Sequence, residues 1–220
     1  MQFSEQQRGV GALLLCAIGW GLLWLPYRAL DALGISGAVA VLSGYGLAFI
    51  AGWWLLLRRQ NLRWYSSPLL LAMALSGGWA NVAYTLGILE GEVMQVLLLM
   101  YLAPLWTAGL AHWLLGEHLT RMGYGIVLLA LLGAIIMLYP TDHVWNFGPA
   151  DWYGVSSGIA FALVNILVKK AAHHPAPIRT LHVWAGVVAC GRLPLAFGSI
   201  TWPSVTQWQA ASYGLLITAV

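Results

Sequence analysis

The chain has 220 residues, 60% of them hydrophobic and only 8% charged, with 13 Trp and 25 Gly. A soluble domain carries about 25% charged residues, so this composition excludes a water-soluble globule and points to an all-α integral membrane protein. The net charge of +3 does not imply a nucleic-acid partner, because the Lys and Arg residues sit in short links between apolar runs.

A bilayer core needs roughly 20 residues of helix. On that basis the predicted spans run Gly9 to Tyr27, Ile35 to Leu57, Pro68 to Leu89, Val93 to Leu115, Met122 to Tyr139, Trp152 to Val168 and Ile178 to Phe197. The first follows Arg8 with no small-residue cleavage pattern and reads as a retained span. An eighth begins near Gln209 and the sequence stops at Val220, about half the length a span requires, so the chain is expected to be truncated there. Cys16 and Cys190 fall inside apolar runs and are expected to be buried, inert thiols.

Charge in the links predicts orientation. Arg8, Arg58, Arg59, Arg63, Arg121, Lys169, Lys170 and Arg179 fall on one side if the spans alternate, whereas Arg28 and Arg192 fall on the other with Asp31, Glu90, Glu92, Asp142 and Asp151. Positive residues are retained on the inside, which makes the N-terminus cytoplasmic. The link from Pro140 to Asp151 is the longest and holds Asn146, Gly148 and Pro149, which are turn and breaker residues. It separates five spans from the rest, and each half starts with a glycine-rich helix. An odd number of spans per half inserts the two halves upside down, the inverted-repeat plan of many secondary transporters.

Small residues mark helix contacts. Gly154 and Gly158 form a small-xxx-small pair suited to close helix packing, while the adjacent Gly77 and Gly78 are expected to loosen the third span near its middle. Polar groups at membrane depth carry more information, since facing lipid is costly. Asn81, Tyr84 and Thr85 follow the glycine pair at spacings of three and four and share a face, with Trp79 nearby. Trp20 and Trp24 lie one turn apart in the first span, Asn165 is the amide of the sixth, and Tyr101 lies one turn before Pro104 in the fourth. These residues suit a small-molecule cavity with aromatic walls and few hydrogen-bonding groups. They also suit an interfacial aromatic belt with asparagines that join helices.

No HExxH, GxSxG or paired intramembrane aspartates occur, so enzyme chemistry, a metal and a cofactor are not expected. The first six spans hold no ionisable group at their centres, as a proton or sodium relay would. Arg192 is expected to snorkel to the outer interface, and His112 and His182 to be structural.

Pro104, then Leu114 to Glu117, Leu119 and Thr120, and the glycines Gly123, Gly125 and Gly133 resemble the first-repeat signature of EamA-type members of the drug/metabolite transporter superfamily. The GWG at Gly19 to Gly21 with Trp24 and Pro26 resembles that family's first helix, and Asn81 to Leu89 its third. The resemblance implies a ten-helix carrier of two inverted five-helix repeats with cytoplasmic termini and a central cavity. Residues 1–140 would be the first repeat and 141–220 an incomplete second, with helices 6, 7 and part of 8. Members move amino acids and other small metabolites, often outward. The related four-helix multidrug exporters need a carboxylate in their first helix, which is absent here.

The reading is therefore a bacterial inner-membrane exporter of a small zwitterionic or aromatic metabolite, with the lipid bilayer and that metabolite as partners. Trp20, Trp24, Trp79, Asn81, Tyr84, Tyr101 and Asn165 would line the site, Pro104 would bend its helix, and Glu117 and Arg121 would form a cytoplasmic hairpin. The rival is a non-transporting membrane scaffold or a remnant of such a carrier.

Overall fold

The computed structural model describes residues 5–22, 24–58, 64, 66–116, 120–138, 147–193 and 202–209. Among them the secondary structure is helical, with no strand. The chain forms two compact units, one of Met1–Ile35 with Pro203–Val220 and one of Ser36–Trp202.

The first unit contains α1 (Glu5–Leu22) and α2 (Trp24–Ala32). α1 exposes Leu13, Leu14, Leu15 and Ile18, a surface that hydrocarbon solvates and water does not. Cys16 is exposed on this helix, contrary to the buried thiol expected. α2 ends where Gly34 takes a φ of 82°, a left-handed conformation that glycine adopts without a Cβ clash. The turn lets the Ile35 N–H reach back to the Leu30 carbonyl at 2.9 Å, closing a helix end that would otherwise leave a carbonyl bare.

The second unit runs α3 (Gly37–Arg58), α4 (Pro68–Glu90), α5 (Val93–Met100), α6 (Ala103–Leu115), α7 (Arg121–Leu138), α8 (Pro149–Lys170) and α9 (Ala176–Gly191). Among the described residues five helical stretches are long and apolar enough to cross a membrane: Gly9–Ala32, Gly37–Arg58, Pro68–Glu90, Val93–Leu115 and Pro149–Lys170. Each matches a predicted span to within a few residues. α7 and α9 fall where two more were predicted, and residues 194–201 and 210–220 lie outside the described part.

α4 is the most buried of these spans and packs against α8, α9, α3 and α5. Its start is set locally: Pro68 occupies the first turn, where a missing N–H costs nothing, and the Ser67 hydroxyl accepts from the Leu70 N–H at 3.2 Å. At this end Leu56, Leu70, Met73, Val164, Leu167, Ala171, Ile178 and Leu181 form one apolar cluster from α3, α4, α8, the turn after it and α9. At the opposite end Gly37 meets Leu89, and Gly91 meets Ala150. The helices therefore alternate in direction. Among the described residues of this unit, Arg58, Arg121, Lys169, Lys170 and Arg179 lie at the cluster end, and Glu90, Glu92 and Asp151 at the other, with Arg192 after α9 as the one cation there.

Gly77 and Gly78 do not loosen α4, which stays helical through both. Instead they admit neighbours. A Cβ on Gly77 would meet Val183 at 3.0 Å and Val164 at 3.2 Å, and one on Gly78 would run into the Gly186 carbonyl of α9. Gly186 in turn sits against the Ala74 backbone. The two helices cross almost backbone to backbone, which gains dispersion where lipid offers no hydrophobic drive. Gly154 and Gly158 act as expected for a packing pair: a Cβ on Gly154 would lie 3.1 Å from Leu99, and one on Gly158 would lie 2.9 Å from the Met100 carbonyl.

Candidate functional site

The polar groups of α4 form a connected set. The Asn81 side-chain amide donates to the Gly77 carbonyl at 2.8 Å, and its carbonyl accepts from the Tyr45 hydroxyl of α3 at 2.5 Å. Thr85 donates to the Asn81 backbone carbonyl at 3.0 Å. Asn81 stands nine residues before the end of α4 and Tyr45 eight residues into α3, so both lie about 12–14 Å along their helices from the acidic end. That is mid-depth for a bilayer core of about 30 Å. Asn81 and Tyr45 are half-buried, and Thr85 and Tyr84 are each 1% exposed. Asn81 keeps a second N–H and a second carbonyl lone pair beyond its two bonds, which a bound molecule could use.

The fourth predicted span is broken in its middle. α5 stops at Met100, residues Tyr101 and Leu102 form a turn, and Pro104 occupies the first turn of α6. Proline has no N–H to offer the carbonyl one turn back, and α8 accommodates the break by placing Gly158 against the Met100 carbonyl. Tyr101 is 61% exposed at this turn, and the helix before it packs on α4, where a Cβ on Gly87 would lie 2.8 Å from Val96. The break therefore follows directly on a helix packed against α4. Irregular backbone at such depth is tolerated where it lines protein or a cavity.

The remaining predicted site residues are placed differently. Trp79 is half-buried on α4, and Asn165 lies on an exposed face of α8. Trp24 is half-buried in the first unit, and the side chain of Trp20 lies outside the described residues, as does Glu117. Arg121 is exposed at the start of α7, where the Thr120 hydroxyl accepts from the Gly123 N–H at 3.1 Å. That bond caps the start of α7.

Sequence reasoning missed two residues. Tyr45 was visible only as an aromatic between Gly44 and Gly46; a hydroxyl flanked by small residues at mid-span was the available signal. Trp106 of α6 has a buried indole N–H with no acceptor among the described residues, and no sequence feature distinguished it from the other tryptophans.

His182 is 4% exposed. Its Nδ1 lies 2.8 Å from the Ile178 carbonyl, which assigns the proton to that nitrogen, and its ring stacks on Trp64 at 4.0 Å and 3°. Nε2 is buried without a partner among the described residues. Since phenylalanine keeps the stack and removes an unsatisfied buried atom, His182→Phe is expected to hold or raise the thermal midpoint, within about 1 kcal/mol. A loss above about 2 kcal/mol in detergent melts would give the imidazole a larger role.

An all-helical bundle with membrane-length apolar helices, a broken span and a polar group at mid-depth defines an integral membrane protein of transporter type. The sequence profile of the EamA-like transporter family matches residues 7–139. The chain belongs to that family.

Among curated proteins, the S-adenosylmethionine uptake transporter of Rickettsia prowazekii is 27% identical over 114 residues, covering 52% of this chain and 38% of that protein. An uncharacterized transporter of Archaeoglobus fulgidus is 30% identical over 158 residues, 66% of this chain and 57% of the relative. One from Pseudomonas aeruginosa is 24% identical over 196 residues, 84% and 62% respectively. The chain thus spans less than two thirds of the length of these relatives. No solved structure matches it.

Proposed function

We propose that the protein is a carrier that moves a small metabolite across the bacterial inner membrane by alternating access. The plan is ten helices in two inverted repeats, with residues 1–140 in the first and 141–220 within the second. The observations that support this reading best are the Tyr45–Asn81 pair at mid-depth and the Tyr101–Leu102 break in the fourth span. Carriers of this plan bind at the midplane next to discontinuous helices. Trp79 and Tyr84 complete the proposed lining, and Pro104 keeps the helix broken. The cationic end faces the cytoplasm under the positive-inside rule, which puts the N-terminus there.

The substrate class we infer is a small zwitterionic or aromatic metabolite such as an amino acid, moved outward. A second reading, uptake of S-adenosylmethionine, is favoured by the activity for which the Rickettsia relative is named. Counterflow in proteoliposomes holding the purified protein separates them. Vesicles preloaded with unlabelled aromatic amino acids should accumulate the labelled compound on the first reading, and those preloaded with S-adenosylmethionine on the second. Folded protein that moves neither, nor any of a wider amino-acid panel, above protein-free vesicles would support the scaffold instead.

A further inference from the structure

Between the last turns of α3 and the first turns of α9 lies a cavity of about 410 Å³ whose lining includes Gly52, Leu55, Leu56, Pro177, Thr180 and Trp184. It falls in the size range of small-ligand pockets, and its walls are apolar but for Thr180. Gly52 gives it a floor: a Cβ there would meet Leu181 at 2.7 Å and Trp184 at 2.9 Å, so α9 closes against bare backbone below while the helices part toward their ends. Leu55 and Thr180 are exposed on its rim. Both helix ends fall at this rim, since α3 finishes at Arg58 and α9 begins at Ala176. The mouth therefore lies where the bundle leaves hydrocarbon.

Among the described residues the charge around that mouth has one sign. Arg58 follows Leu55 by three residues and shares its face of α3; its guanidinium is held 3.6 Å over the Trp54 ring. Lys169 and Lys170 are exposed at the end of α8, and the first turn of α9 adds the partial positive charge of a helix N-terminus. The carboxylates described in this unit, Glu90, Glu92 and Asp151, are all at the opposite end. A soluble anion would find the charge but no polar floor. A neutral lipid would find the floor but gain nothing from the charge.

We infer that this groove binds an anionic phospholipid, one acyl chain lying along Leu55, Leu56 and Trp184 and the phosphate at Arg58 and the start of α9. The inference is independent of the transport reading. The test uses the full chain in phosphatidylcholine liposomes doped with phosphatidylglycerol bearing an acyl-chain diazirine, with diazirine phosphatidylcholine in a parallel sample. After photolysis, label from the phosphatidylglycerol should concentrate on the peptides holding Leu55–Leu56 and Thr180–Trp184.

Arg58→Gln should lower that label about fivefold, the effect of one basic group near an anionic headgroup, without changing the phosphatidylcholine sample. Thr180→Trp, which fills the rim, should lower both. Equal labelling by the two lipids, or an Arg58→Gln variant that labels as wild type, would reduce the groove to ordinary bilayer contact and overturn the proposal. So would groove peptides that stay unlabelled while two copies of the chain cross-link through them. Arg58 is exposed, so its variant keeps the test decisive if Thr180→Trp does not fold.

Discussion

Gly186→Leu is expected to eliminate the monodisperse folded protein from detergent extracts. The residue lies where α9 crosses α4, against the Ala74 backbone, and its counterpart Gly78 lies against the Gly186 carbonyl. Overpacking a core costs about 1–3 kcal/mol when side chains can yield. Here the obstacle is main chain held in a helix, so the whole α4–α9 contact must open, at a cost approaching the roughly 5–15 kcal/mol that stabilises a typical domain. On α7 a Cβ added at Gly133 would have nothing within 4 Å, so Gly133→Leu should extract and elute as wild type. Fluorescence-detected size exclusion reads both. Equal, sharp peaks for the two variants would mean that α9 does not cross α4 in this way.

The largest functional effect is expected at Asn81. If the amide contacts substrate, Asn81→Ala should lower counterflow at least about tenfold per folded molecule, about 1.4 kcal/mol or more. Stability should fall as well, because the Tyr45 hydroxyl loses its acceptor. Hydrogen bonds between membrane helices average about 0.6 kcal/mol, and an orphaned buried donor adds about 1–3 kcal/mol. The double variant Tyr45→Phe with Asn81→Leu removes both partners and should melt closer to wild type while remaining inactive. A double variant that regained transport along with stability would make the pair helix glue and remove it from the site.

The spans were legible because hydrocarbon forces every backbone group into a helix, and the charged links because moving Lys and Arg across the membrane is resisted. The packing role of Gly154 and Gly158 was legible because a spacing of four puts both on one helix face, although their partner α5 was not. Contacts between distant segments were not. Gly77 and Gly78 read as a weak point, yet α8 and α9 cover them with Val164, Val183 and Gly186, and a covered glycine pair packs instead of bending. Tyr45 could not be paired with Asn81 across the 36 residues that separate them.

The sequence by itself determined the class of the protein, the number and bounds of most spans, the segregation of charge and the family, since each is a property of single helices or of short motifs. Only the tertiary structure decided which face of each helix turns inward. Periodicity groups residues on a face, but burial depends on what docks there. Thus Asn81 meets a tyrosine from α3 at mid-depth, and Asn165 stays on an exposed face of α8.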